Sequence, residues 1–376
     1  MNRLNFWAAT ATLSLAAALP LAAQDMTIVS LQSMTGGAAF VGVPVAEGIQ
    51  MAVDESNAAG ELGAGRKINL IVADDATDRT QTQTLMARHG QNPEVLAVLG
   101  PTSGGVAMLG AQTANELQVP ILTTSNTPEI LDYGPWSYIM THTPKDSVTI
   151  LADYAAQELG VQNCAVIGVQ NIEVYVQLQN VFVERMEEHG VTISARESVQ
   201  NGDSDFNALA TKVAYSDVDC VMVASYAAQG AGIVVQLRNA GLDPSVRILG
   251  LNVFSSPEFR QIAGAAAEGV LFYGEWVPGG FNDYSRDFIA RYVAAKGHEP
   301  DSWVGLGYGM ARVVIEAYKN AGDNPTRESL RDALAQTRDV TVPVGFGNYS
   351  LTEDRRPQYG VYVLEIQGDS YVTRNP

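Results

Sequence analysis

From residue 26 onward, short runs rich in β-branched residues alternate with longer segments whose apolar residues recur at helical spacing. Residues 26–30, 68–73, 95–99 and 120–123 read as strands. Val45, Ile49, Ala52 and Val53 mark a helix closed by Gly60; a second is expected over 79–90, and a third ends at Leu117. Strands separated by helices of this length cannot pair as hairpins. They form a parallel sheet with helices over both faces. The pattern then restarts. A helix over 144–159 precedes strands at 164–169, 192–199, 220–224 and 247–251. Between them lie a helix with Val174, Leu178, Val181, Phe182 and Met186 on one face, and helices over 205–212 and 228–240. Further helices are expected near 284–296, 304–321 and 327–335, and a terminal hairpin, 359–366 with 371–373, turns about Gly368 and Asp369. The fold class is therefore α/β, with two doubly wound parallel-sheet lobes. No Pro- or Ser-rich linker divides them, so several short crossovers must join them.

The chain has 376 residues, 46% hydrophobic and 17% charged, which suits two folded domains and excludes a disordered chain. Its formal net charge of -18 gives no long-range attraction for phosphate backbones, and no nucleic-acid partner is expected. Four histidines and two cysteines lie far apart without zinc-site spacing. Residues 1–23 have the build of an export signal. Arg3 precedes an apolar run over 6–19, broken by Pro20, and Ala22 and Ala23 precede the expected cut. No cysteine stands near that cut, so a soluble, unanchored form in an oxidising periplasmic space is expected. Cys164 and Cys220 both start central strands of the second lobe; the expectation is two free, buried thiols, because paired parallel strands rarely suit disulfide geometry.

Catalytic constellations are missing. The chain has no Gly-x-Ser-x-Gly elbow, no phosphate loop and no His-Glu-x-x-His, and no histidine sits beside a nucleophile in a strand-end motif. A secreted hydrolase is thus a remote alternative. Gly305, Gly307 and Gly309 lie inside a helical pattern and read as close helix packing. Asp74, Asp75 and Asp78 read as a polar loop with a helix cap rather than a calcium site. Two strand ends suit a small ligand. Residues 102–105 offer the hydroxyl of Ser103 and the backbone N–H groups of a helix start at Gly104, a natural seat for a carboxylate. Residues 123–128 leave the next strand at the same edge of the sheet.

Several motifs, in this order along the chain, resemble those of a known family: residues 34–37, 48–60, 73–76, 98–103, 119–122, 202–206, 237–242 and 262–270. The chain is similar to the periplasmic solute-binding proteins of ABC importers, in the leucine/isoleucine/valine-binding branch with the type I bilobal fold. The resemblance implies three crossovers, an N-terminal lobe of residues 24–141 plus 276–343, and a C-terminal lobe of 142–275 plus 344–376. It implies a monomer without cofactor or metal that delivers a small-molecule ligand to ABC permease membrane subunits; a sensor docking on a membrane receptor would share these features. It places the ligand's carboxylate at Ser103 or Gly104, further polar contacts at Asn126 and Thr127, and second-lobe aromatics at Tyr175 and Tyr226. Phe40 joins the first-lobe pocket, and Trp276 lies at a crossover. Where the family carries an acid for the ligand's ammonium, this chain has Asn252, and Glu173 and Glu275 lie close enough in sequence to the expected cleft to replace it.

Overall fold

The computed structural model describes residues 25–375 apart from Ala64 and Ser103, so the expected export signal and Ser103 lie outside the described residues. The first half supplies β1 (Met26–Gln32), α1 (Ala39–Ala59), β2 (Ile68–Asp74), α2 (Arg79–Gly90), β3 (Val95–Leu99), α3 (Gly104–Leu117), β4 (Ile121–Thr123) and β5 (Ser137–Ile139). Their strands form a parallel sheet in the order β2-β1-β3-β4-β5. Successive side chains of β1 serve opposite faces. Met26 and Ile28 join one hydrophobic cluster with α1, while Val29 and Leu31 join another with Met86 of α2 and Ala107 and Ala111 of α3. Both faces are covered, and so β3 is apolar and buried at every position.

The second half supplies α4 (Pro144–Gln157), β6 (Asn163–Val169), α5 (Glu173–Glu188), β7 (Thr192–Val199), α6 (Asn207–Ala214), β8 (Cys220–Ala224), α7 (Ala227–Asn239), β9 (Arg247–Gly250), α8 (Pro257–Ala263) and β10 (Leu271–Gly274). There follow α9 (Asp283–Lys296), α10 (Ser302–Asn320), α11 (Arg327–Ala335), β11 (Val340–Thr341), β12 (Asn348–Leu351), β13 (Pro357–Gln358), β14 (Tyr362–Gln367) and β15 (Ser370–Thr373). The larger sheet runs β15-β14-β10-β9-β8-β6-β7. The terminal hairpin β14–β15 adds to it antiparallel, turning at Gly368 with φ 53°.

Helices α9 to α11 return to the first sheet: Phe288, Tyr308 and Leu330 share a cluster with Val45 and Ile49 of α1. Glycines allow α1 and α10 to touch. A Cβ on Gly307 would lie 2.2 Å from the Val45 carbonyl oxygen, and one on Gly48 would lie 2.1 Å from that of Val304. The glycine run of α10 is thus a packing device, as its setting in the sequence suggests.

Two expectations need correction. Cys164 and Cys220 are joined in a disulfide. They are direct partners across the parallel pair β6–β8, with Cα atoms 4.4 Å apart, so both side chains leave the same face at bonding distance. The third passage between lobes also lies later than expected. Val344, Tyr349, Leu351 and Tyr359 are in the α1–α10 cluster, and only from Val361 onward does the chain join the cluster of the larger sheet. Residues 344–359 therefore pack mainly with the first lobe; Phe346 leans across, its ring 4.8 Å from that of Tyr362, whose hydroxyl donates to the Gly345 carbonyl.

Candidate functional site

Both parallel sheets end their strands in loops that carry the sequence-derived candidates, at the edge where open α/β sheets hold ligands. On the first lobe, hydrogen bonds shape this rim. Gln32, at the end of β1, donates from Nε2 to the Leu99 carbonyl (2.8 Å) and accepts from the Thr102 hydroxyl. Thr123 Oγ1 donates to the Pro101 carbonyl and accepts from Ser125 N (3.0 Å). Ser125 Oγ bonds Thr127 Oγ1 (3.1 Å). The two loops thereby meet: a Cβ on Gly104 would lie 3.2 Å from Thr127 Oγ1. Gly104 also opens α3, whose first N–H groups have no acceptor within the helix. Asn126 is exposed beside them. Thr124, absent from the sequence candidates, is buried, and its hydroxyl has no hydrogen-bond partner among the described residues. Phe40, in the first turn of α1, is 73% exposed, an unusual position for so large an apolar group.

The second-lobe rim is aromatic. Tyr175, in the first turn of α5, and Tyr226, just before α7, meet edge to face with ring centroids 4.9 Å apart. Tyr175 is 6% exposed and Tyr226 44%. Tyr273, near the end of β10, is buried in the same hydrophobic cluster as Tyr175. Burial, then the neighbouring Tyr226, push the Tyr175 hydroxyl well above its usual range; burial, then Glu275 and Tyr175, do the same for Tyr273. Tyr175 and Tyr226 thus form one group, with Tyr273 close enough to feel the Tyr175 hydroxyl. Tyr273 was missed in the sequence because its strand is only four residues long and follows two short helical turns.

Other candidates fall elsewhere. Trp276 packs on the first-lobe core, edge to face with Phe288 (6.2 Å), and its ring would lie 2.8 Å from a Cβ on Gly305. Glu173 accepts from Gln177 Nε2 (3.2 Å) on the exposed side of α5. Two positions along a helix turn the side chain by about 200°, so Glu173 faces away from Tyr175. Asp74 accepts from Met34 N (2.9 Å), Thr35 N (3.2 Å), Thr35 Oγ1 (2.7 Å) and Ala76 N (2.8 Å). Burial raises its pKa, but these bonds outweigh that and hold the carboxyl below its usual range. Asp78 caps α2 through Gln81 N (2.8 Å). The acidic cluster is a loop clasp, and the described residues hold no group of three or more His, Cys, Asp or Glu suited to a metal.

A third cluster joins the lobes. His142 N donates to Glu275 Oε1 (3.3 Å) and to the Tyr359 hydroxyl oxygen (3.4 Å), and His142 Nε2 donates to the Tyr359 carbonyl (2.8 Å). Burial pushes the Glu275 carboxyl above its usual range, against the pull of His142 and its hydrogen bonds.

A family model for periplasmic binding proteins matches residues 25–370. The Leu/Ile/Val-binding protein BraC3 of Rhizobium johnstonii is 28% identical over 361 residues, covering 95% of this chain and 96% of that one. Leu/Ile/Val-binding protein homolog 3 of Brucella melitensis is 27% identical, covering 90% and 91%. Among solved structures, the leucine-binding protein LivK of Thermotoga maritima superposes with a TM-score of 0.72 at 25% identity, covering 93% and 98%. A benzoate-bound solute-binding protein from R. palustris shares the fold at 19% identity, with a TM-score of 0.70, covering 93% of this chain and 96% of that one. Two lobes of this architecture and a match over nearly the whole length assign the chain: it belongs to the periplasmic binding protein family.

Proposed function

We propose that this protein captures a small carboxylate- or amide-bearing solute with an apolar body between its two lobes and delivers it to the membrane subunits of an ABC permease. The observation that carries this reading is the unlike pair of rims. One offers the α3 N-terminus, Thr127 and an unpartnered Thr124 hydroxyl; the other offers the Tyr175–Tyr226 pair, with Phe40 exposed on the first lobe. The polar rim suits a carboxylate, and the rings suit an aliphatic or aromatic body. Relatives named for Leu, Ile and Val, and fold neighbours bound to isoleucine and to benzoate, support both classes of solute. Ser103 sits between Thr102 and Gly104 in the chain and is assigned here as a carboxylate ligand.

Asn252 bears on the choice between those classes. An ammonium enclosed in a closed cleft needs a carboxylate or several acceptors. The second-lobe rim provides an amide at Asn252, while Glu173 faces away and Glu275 is engaged at the crossovers. A carboxylate or amide without an α-ammonium fits these residues best, and a branched-chain or aromatic amino acid is the second reading, carried by the names of the relatives.

The lobes divide at 141–142, at 275–276 and in the stretch 359–361. Closure by hinge rotation excludes water and adds the second lobe's contacts. The expected export signal of residues 1–23 supports a periplasmic location. The disulfide suits that oxidising compartment, and no helix among the described residues is long and apolar enough to cross a membrane. A thermal-shift screen with leucine, isoleucine, valine, phenylalanine, benzoate and their amides tests the reading. A ligand at 100 times its Kd stabilises by about 2.7 kcal/mol. No shift with any of these compounds would count against it.

A further inference from the structure

Three segments pass between the two hydrophobic clusters. Residues 140–143 lead from Met140, in the first-lobe cluster, to α4, whose Val148 lies in the second. Glu275 and Trp276 lead from Tyr273, in the second, to Phe288, in the first. Residues 359–361 lead from Tyr359, in the first, to Val361, in the second. All three converge on one carboxyl. Glu275 accepts from the backbone of the first segment at His142 N (3.3 Å), and the same N–H lies 3.4 Å from the Tyr359 hydroxyl oxygen of the third. The first and third are also tied directly: His142 Nε2 to the Tyr359 carbonyl (2.8 Å), with ring centroids 4.3 Å apart. The Glu275 carbonyl accepts from Gly345 N (2.7 Å), which adds the stretch before β12.

We propose that Glu275 is the pivot of lobe closure and that closing the lobes places a proton on its carboxyl. This rests on the two-lobe capture proposed above. The groups that act on the carboxyl are His142 from the first segment, Tyr273 from β10, Tyr349 from β12 and Tyr359 from the third segment. No lysine or arginine among the described residues acts on it. Glu275 is half-buried here, in a structure whose Phe40 and Tyr226 are open to water. The charges of Glu275 and Tyr175 both act on the Tyr273 hydroxyl, which links the carboxyl to the rim. Closure removes water from the floor of the cleft, and a carboxylate without a full cationic partner then loses solvation. The ionised form is penalised more in the closed state, so closure takes up a proton from solvent. Burial already holds this carboxyl above its usual range. By linkage, falling pH favours the closed form and rising pH the open one.

Small-angle scattering of the purified, ligand-free protein at about pH 5 and about pH 8 reads this equilibrium. The wild type should be more compact in acid, by on the order of 1 Å in radius of gyration. Glu275→Gln, neutral at every pH and of the same shape, should be equally compact at both. An unchanged wild-type profile overturns the proposal, as does a Gln variant that keeps the wild-type pH response. A merely structural role would lower the melting temperature of Glu275→Ala and leave the Gln variant's pH response intact. If the Gln variant does not fold, carbon-13 NMR of the wild-type carboxyl decides: titration at or below the ordinary glutamate range overturns the pivot. Leucine and benzoate, added separately, test capture on its own. Compaction by either compound without a pH response sinks the pivot and leaves capture standing. A pH response without compaction by either supports the pivot and counts against capture of those two compounds.

Discussion

The two lobes reach the cleft by different means. The first lobe's rim is a web of hydrogen bonds anchored on Gln32, Thr102, Thr123 and Ser125, with glycine where a ligand would approach the backbone. The second lobe's rim is a ring contact, Tyr175 on Tyr226, with Tyr273 behind it. Hydrogen bonds fix donor directions before a ligand arrives, whereas rings offer area without direction. In the proposed clasp, the first rim is therefore the orienting half and the second the covering half. The interiors differ as well. The first lobe depends on glycine contacts between α1 and α10, and the second is stapled by Cys164–Cys220 across β6 and β8. As a member of a family of binding proteins, the chain is not an enzyme: it holds and releases its solute unchanged.

The largest expected effect breaks the staple. Replacing Cys164 and Cys220 together by Ala should cost about 2–5 kcal/mol of stability, read as a lower denaturant midpoint. Both half-cystines are fully buried in the second lobe. Proteolysis should then begin in residues 142–275, and first cuts in the first lobe would contradict this division. Next comes Gly307→Ala. The added methyl meets the Val45 carbonyl, so α1 and α10 must separate, at about 1–3 kcal/mol, with the second lobe's amide-exchange protection unchanged.

The rims themselves are tested by affinity. Ser103→Ala should weaken binding by about 1–3 kcal/mol, the loss expected for a hydrogen bond to a charged group. Gly104→Val should do worse, because its side chain crowds Thr127 and the first N–H groups of α3. Tyr226→Leu should cost about 0.5–1.5 kcal/mol, the surplus of an aromatic contact over its area. Equal losses for Tyr226→Leu and Gly104→Val would erase the contrast between orienting and covering halves. The smallest effect is a pH dependence in the first lobe. The folded Asp74 carboxyl lies below its usual range, so its contribution is present at neutral pH and lost as pH falls through that depressed value. Asp74→Asn should destabilise at neutral pH and converge with wild type in strong acid, as thermal melts would show.

Much of this was legible in the chain. The limits of α2, β3, β7, β8 and α11 follow directly from periodicity and from their flanking residues. The central parallel strands β3 and β8 are apolar throughout, and the helices between the strands show a clear period. Short pieces were not legible: β5 has three residues, β10 four, and β11 and β13 two each, too few for a period to show. On α5 the expected buried face began at Val174, but that residue is 43% exposed and Tyr175 turns inward instead, because ring packing on Tyr226 sets the first turn. The disulfide was missed because only the register of β6 against β8 sets the two cysteines opposite each other. The crossover cluster was out of reach for the same reason. Glu275 meets His142 and Tyr359 across separations of 133 and 84 positions, and nothing local in the sequence marks the carboxyl as shared.

Isothermal titration tests the central claim most directly. The strongest binder among leucine, isoleucine, valine, phenylalanine and benzoate would be titrated into the wild type, Gly104→Val and Tyr226→Leu. The account expects both variants to bind more weakly, with the greater loss on the first lobe, because a solute held between two lobes must feel a change in either. Wild-type affinity retained in either variant would mean that the solute is not clasped between these rims.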